Sequence, residues 1–271
     1  MAVNAELANS STAVADTPGT VEVPTASRKT RRIELGRPAI YAPPPRPVYV
    51  TMKAGGEWLL AGVLIVLAAP VLLLTALAVK LTSRGPVLYS QTRVGKNGKL
   101  FTLYKIRSMF HDCEKDSGAR WSTPGDSRIT PIGAFLRKTH LDELPQLWNV
   151  LRGDMSLVGP RPERPEFTPA LERAIPHYRD RLAVRPGVTG LAQVQLAPDT
   201  DMTSVRRKLA YDLYYIRYRG LCLDLRLIAC TAVHMAGVPY QALCLLFVMP
   251  RLQAVENAYQ EYGALCPQFE A

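Results

Sequence analysis

At 271 residues, 48% of them hydrophobic, the chain is long and apolar enough for one large or two small domains around a sizeable core. Its formal charge of +10 points to an anionic partner, whether nucleic acid, anionic lipid or a phosphorylated substrate, and does not choose among them. The five cysteines (Cys113, Cys222, Cys230, Cys244 and Cys266) are odd in number and lack Cys-x-x-Cys spacing, which speaks against a zinc site or a disulfide framework and for a reducing compartment.

Residues 1–52 are poor in large apolar side chains, rich in Ala, Thr, Ser and Pro, and carry a proline run at Pro43-Pro44-Pro45. Such a stretch cannot bury enough apolar surface to offset its ordering entropy, so a disordered tail is predicted, without the layout of a secretory signal. Trp58 to Val79 follows as an uncharged apolar run bounded by Glu57 and Lys80. As a helix it would extend about 33 Å at ~1.5 Å per residue, enough to cross a hydrocarbon core. Pro70 stands at its middle, where a proline removes a hydrogen bond and bends a helix. The residues alone fit either a kinked spanning helix or a helix-break-helix hairpin returning to the same side. Basic residues on both flanks tilt this only mildly toward the re-entrant form.

Arg84 to Arg107 reads as two strands joined around Asn97-Gly98, the pair preferred where a tight hairpin needs positive φ. Alternation places Lys105 and Arg107 on one face at the end of the second strand, a small cationic patch or simply a solvated face. A polar loop from Asp112 to Ser127 leads to a short helix within Arg128–His140 that carries Arg137 and Lys138. Next, Leu144, Leu147, Val150 and Leu151 outline a helix in whose first turn Pro145 is tolerable, which puts the adjacent carboxylates Asp142 and Glu143 at its N-terminus. An ionised carboxylate there can act as a nucleophile or hold a hard cation, and acidic residues in a first turn are also common as plain capping charges. Beyond it, Gly159, Pro160 and Pro162 hold Arg161 in a rigid turn suited to bidentate recognition of phosphate, a device repeated at Arg185-Pro186-Gly187. Val205 to Val248 mixes tyrosines, arginines and apolar runs, the blend of helices lying in a headgroup region and also of ordinary core helices.

From Arg84 to about Leu227 the sequence resembles the bacterial sugar transferases that are monotopic phosphoglycosyl transferases. The resemblance rests on Gly85-Pro86-Val87, Arg93-Val94-Gly95, Lys105-Ile106-Arg107-Ser108-Met109, Phe135-Leu136-Arg137-Lys138, Leu141-Asp142-Glu143-Leu144-Pro145-Gln146-Leu147, Asn149-Val150-Leu151, Gly153-Asp154-Met155-Ser156, Val158-Gly159-Pro160-Arg161-Pro162 and Arg185-Pro186-Gly187-Val188-Thr189-Gly190. It implies a mostly helical α+β fold with a small β-hairpin, a Pro-broken re-entrant helix over 53–82, and a catalytic domain over 83–271 on the cytoplasmic face of a bacterial inner membrane. It implies transfer of a sugar-1-phosphate from a nucleotide-diphosphate sugar, a UDP-sugar by expectation, to polyprenyl (undecaprenyl) phosphate. Asp142 would attack the β-phosphate and Glu143, with Asp142, would hold Mg2+. Asp212 matches a further acidic position needed for activity, and Lys105, Arg107, Arg137, Arg161 and Arg185 would contact substrate. The expected partners are the donor, the polyprenyl acceptor and membrane lipid, with homo-oligomerisation left open and no nucleic acid.

Two departures from the family pattern stand out. His140 occupies a position usually held by Ser or Thr, and the stretch after Gly190, Leu191-Ala192-Gln193-Val194 through Ser204, lacks the usual Trp and the common Asn-containing turn. The latter region is expected to shape donor recognition. A catalytically silent membrane scaffold for polysaccharide assembly is the competing expectation, weakened by the joint presence of the acidic pair and its cationic neighbours. Nucleic-acid binding lacks any recognisable module.

Overall fold

A computed structural model of the chain describes residues 47–115, 125–197, 199, 201–235 and 237–265. Most of the predicted tail and the middle of the predicted 112–127 loop lie outside the described residues. The described part is mostly helical, and it opens with one helix, α1 (Pro47–Thr82), that begins six residues before the expected anchor. Among the described residues it is the one helix long and apolar enough to cross a membrane. The helix runs unbroken through Pro70, so the expected break is not present as a change of secondary structure. Thr75, a polar residue in this apolar setting, returns its hydroxyl to the carbonyls of Val71 (2.9 Å) and Leu72 (3.0 Å).

The burial pattern along α1 is two-sided. Leu59, Val63, Val66, Leu67, Leu73, Leu74, Leu77 and Leu81 are exposed and recur at helical spacing. Ala61, Thr75 and Val79 are buried on the opposite side. Its start is tied to the rest of the protein by a polar cluster. Lys53 bridges Glu57 (2.8 Å) and Asp224 (2.9 Å), Ser156 donates to both Glu57 oxygens (2.8 and 2.6 Å), and Tyr215 donates to Asp224 (2.7 Å). Its end packs Val79 with Ile106 and Leu136. The helix therefore lies along the folded body, one apolar stripe inward and one outward.

The hairpin forms as expected: β1 (Leu88–Val94) pairs antiparallel with β2 (Leu100–Ile106), Leu88 opposite Ile106 and Val94 opposite Leu100. Asn97 (φ 55°) and Gly98 (φ 74°) take the positive φ that the turn requires. A second, two-stranded sheet is parallel, β3 (Ser156–Val158) beside β4 (Gly187–Thr189). Between the sheets come α2 (Pro131–Lys138), a 3-10 turn (Leu141–Glu143) and α3 (Gln146–Leu151). Gly133 lets α2 close onto Ser108, because a Cβ there would lie 1.9 Å from the Ser108 carbonyl oxygen. Asn149 joins α3 to β2, donating to Thr102 O (2.7 Å) and accepting from Tyr104 N (3.3 Å).

The main core gathers Leu103, Leu147, Met155, Leu171, Leu191, Leu209, Leu213 and Leu227 from the hairpin, α3, the parallel sheet and the C-terminal helices. Those are α4 (Thr168–Ala174), α5 (Leu191–Gln195), α6 (Met202–Tyr218), α7 (Leu221–Met235), α8 (Tyr240–Leu246) and α9 (Leu252–Leu265). The alternatives for Val205–Val248 divide along the chain: α6 is largely a core helix, whereas Leu245, Leu246 and Val248 at the end of α8 stay exposed.

Candidate active site

The acidic pair sits in the 3-10 turn ahead of α3, held between α2 and α3, both of which pack on α1. It is not in the α-helical first turn; Pro145 is the N-cap immediately before α3. His140 enters the turn in the left-handed conformation (φ 57°). The two carboxylates then meet opposite surroundings. Glu143 is clamped: Lys105 Nζ donates to Oε1 at 2.7 Å, and the Arg161 fork donates to Oε1 at 2.6 Å and Oε2 at 3.2 Å. Burial would push Glu143 up, but Arg161 and Lys105 overcome it and hold the group well below the usual carboxylate range.

Asp142 is 5% exposed, and no described hydrogen bond or ion pair reaches its carboxylate, although neither oxygen is sealed from solvent. Burial pushes it up to about 6, against the opposing pull of Lys105, Arg137 and Arg161 and with a further push from Glu143. Two adjacent acids are thus driven apart, one kept as a fixed anion and one left available, a pattern typical of acids with different chemical roles. Burial also lowers His140, keeping the imidazole neutral beside the turn.

The turn opens on a cavity of about 1140 Å³. Glu143, Arg161, Arg93 and His140 line one part of it, and Leu60, Leu64 and Leu67 of α1 with Ile228 and Met235 of α7 line another. The space is thus charged where it meets the turn of the acidic pair and apolar where it meets the long helix.

A sequence model described as bacterial sugar transferase matches residues 48–237, more than half of the chain. The chain belongs to that family. Within the bacterial sugar transferases it is 44% identical over 219 residues to a UDP-glucose:undecaprenyl-phosphate glucose-1-phosphate transferase of Caulobacter vibrioides, covering 80% of this chain and 75% of that one. It is 48% identical over 170 residues to the exopolysaccharide production protein PSS of Rhizobium leguminosarum bv. phaseoli, covering 61% and 85%. It is 45% identical over 184 residues to a UDP-N-acetylgalactosamine-undecaprenyl-phosphate N-acetylgalactosaminephosphotransferase of Aeromonas hydrophila, covering 68% and 43%. Against that protein and two other relatives the chain spans 34–43% of their length.

In this member of the bacterial sugar transferases, the predicted site residues separate into two sets. Lys105, Arg137, Asp142, Glu143 and Arg161 come together; Arg137 is steadied by its Nε donating to Ser108 Oγ at 2.9 Å. Arg107, Asp212 and Arg185 do not join them. The strand ends at Ile106, and Arg107 turns its guanidinium to Arg84 O (2.7 Å) and Ser83 O (2.9 Å), closing the C-terminal end of α1. Asp212 is buried in an ion pair with Arg181 (2.8 Å), whose Nη2 also donates to Arg161 O (2.8 Å), so it braces the arginine turn from behind. Arg185 is exposed and does not line the cavity.

Sequence reasoning did not single out Arg93, Glu163, Lys208 or His234 as site residues, yet all four line the cavity. Arg93 was quoted within a motif, and its Nε is buried without a partner while Nη1 donates to Pro162 O at 3.0 Å. His234 meets His140 edge to face with ring centroids 5.6 Å apart, a contact across 94 residues that no local pattern announces.

Proposed function

We propose that the protein transfers a sugar-1-phosphate from a UDP-sugar to polyprenyl phosphate, as the first membrane step of exopolysaccharide-type glycan synthesis, through a covalent phosphosugar on Asp142. The observation that carries this reading is the unpaired Asp142 carboxylate, raised by burial to about 6, directly beside a Glu143 that is locked by Lys105 and Arg161 and that lines a cavity apolar where it meets α1. A carboxylate that is bonded to nothing is free to bond to phosphorus, whereas one whose Oε1 takes two short charge-assisted hydrogen bonds is held in place.

In the first step an Asp142 oxygen attacks the β-phosphorus, the bond to the bridging oxygen breaks, and uridine monophosphate leaves with that electron pair. Arg161 and Arg137 take up charge on the phosphoryl oxygens, and Arg93 has one N–H to offer an anionic oxygen. In the second step a phosphate oxygen of the lipid acceptor attacks the same phosphorus and frees Asp142. Splitting the transfer lets a soluble donor and a membrane-bound acceptor use one site in turn. The carboxylate pair also fits Mg2+ in the manner usual for that ion, one or two protein carboxylates plus substrate phosphate: Asp142 is unbonded, and Glu143 Oε2 carries a single 3.2 Å contact. Bound there, Mg2+ would neutralise phosphate charge.

Lys53 and Glu57 near one end of α1 and Val79 near the other touch the same folded body, Glu57 and Val79 being about 33 Å apart at ~1.5 Å per residue. That supports placing both ends on one side of the bilayer, the topological content of a re-entrant anchor, with the outward stripe facing lipid. This side is taken as the cytoplasmic face of the inner membrane, where nucleotide sugars are made. The polyprenyl chain would enter between α1 and α7. The test is transfer of label from UDP-sugars to polyprenyl phosphate in nanodiscs. The reading expects a labelled lipid diphosphate from wild type and none from Asp142→Asn; wild-type protein that makes no labelled lipid from any donor would refute it.

A further inference from the structure

The cavity contains a second set of polar atoms that the phosphate chemistry does not use. Gln193 and Gln195 both project from α5 into its lining. Gln193 Nε2 donates to Val188 O at 2.8 Å, which fixes the orientation of the amide and leaves Oε1 buried without a partner. Gln195 Nε2 is likewise buried without one. Among the buried unpartnered side-chain atoms of the described residues, those belonging to cavity-lining residues are these two and Arg93 Nε. A buried amide atom left unbonded is costly enough that native proteins rarely keep one unless a ligand or water completes it. Here one acceptor and one donor, both uncharged, belong to two residues that line the same cavity.

Their location indicates what completes them. A Cβ built on Gly190 would lie 2.9 Å from Gln193 Oε1 and 2.2 Å from Gly159 O, so the amide rests against the backbone that leads, two residues on, to Arg161. A neutral donor–acceptor pair next to the phosphate-binding arginine suits the group bonded directly to the transferred phosphate. That group is the hexose; the nucleobase is held off by a further phosphate and a ribose.

Building on the activity proposed above, we propose that Gln193 Oε1 and Gln195 Nε2 contact hydroxyl or N-acetyl groups of the donor sugar and set which hexose the enzyme accepts. The segment that carries them is the one departing from the family pattern after Gly190. A site built to bond a hydroxyl discriminates strongly against a donor that presents it wrongly.

The experiment uses the full chain in nanodiscs and measures kcat/KM for uridine monophosphate release with UDP-glucose, UDP-galactose, UDP-N-acetylglucosamine and UDP-N-acetylgalactosamine, for wild type, Gln195→Leu and Gln193→Met. Inhibition by UDP and the KM for polyprenyl phosphate are measured alongside. The proposal expects the ratio between the best and a poorer donor to change by about tenfold or more in at least one variant, with UDP inhibition and acceptor KM within about twofold of wild type. Equal loss for every donor together with weaker UDP inhibition would assign the amides to the nucleotide and overturn the proposal. Unchanged ratios would mean that the amides bond only water, and would overturn it too. Wild type that releases nucleotide from no donor would remove the activity itself and this inference with it, whereas active wild type with unchanged ratios removes the inference alone.

Discussion

Two of the buried ionic clusters among the described residues look alike in composition and differ in completeness. At the start of α1, Lys53, Glu57, Asp224, Tyr215 and Ser156 satisfy one another, and none of them lines the cavity. At the turn of the acidic pair, Lys105, Glu143 and Arg161 do the same, but among the described contacts Asp142 beside them is left unbonded. Burying charge is worthwhile for structure only if every member is paired, so a complete cluster is an anchor and an incomplete one is a site. Burial and charge alone would rank the two clusters equally; the unpaired member is what separates them.

The sharpest way to break this comparison is Asp142→Asn. Turnover is expected to fall by about three orders of magnitude or more, the scale seen when a nucleophile is removed. The same variant should be more stable. The carboxylate's value is raised in the fold, from 3.8 to about 6, so the unfolded chain ionises first and ionisation opposes folding. That penalty is complete above pH 6 and absent below 3.8; the gain from Asn should be about 1–3 kcal/mol at pH 8 and vanish toward pH 4, read by melting temperature at both. Wild-type turnover should correspondingly show an acid limb near pH 6 in its pH–rate profile.

Next in size is Arg161. Arg161→Ala should cost about 100-fold in kcat/KM, and Arg161→Lys about tenfold, because lysine keeps the charge and loses the fork that holds both Glu143 oxygens. The complete cluster should respond in the other currency. Asp224→Asn is expected to lower stability by about 3 kcal/mol in a urea titration, with kcat of the folded enzyme within about twofold of wild type. The smallest effect belongs to Arg185→Ala, expected within about twofold in kcat/KM by the same assay, since the residue is exposed and off the cavity.

What the sequence made legible was local. The Asn97-Gly98 hairpin, the helix after Pro145 and the adjacency of Asp142 and Glu143 follow from spacing and turn chemistry within a few residues. Arg107 shows where that reasoning stops: alternation paired it with Lys105, but the strand ended one residue earlier and the guanidinium was drawn to the free carbonyls at the end of α1. Contacts over long separations were out of reach. Lys53 meets Asp224 across 171 positions and Arg181 meets Asp212 across 31, and neither pair has a periodic signal. Family resemblance marked Asp212 as a further acidic position and gave it no partner; the structure pairs it with Arg181, which in turn donates to the backbone of Arg161.

The measurement that tests the central claim most directly is intact-protein and peptide mass spectrometry after mixing the enzyme with a UDP-sugar and no lipid acceptor. Wild type should gain the mass of one sugar phosphate, located on the peptide containing Asp142 and removed when polyprenyl phosphate is added. Label found on another residue, or lipid product formed by a protein that never carries the adduct, would contradict the account.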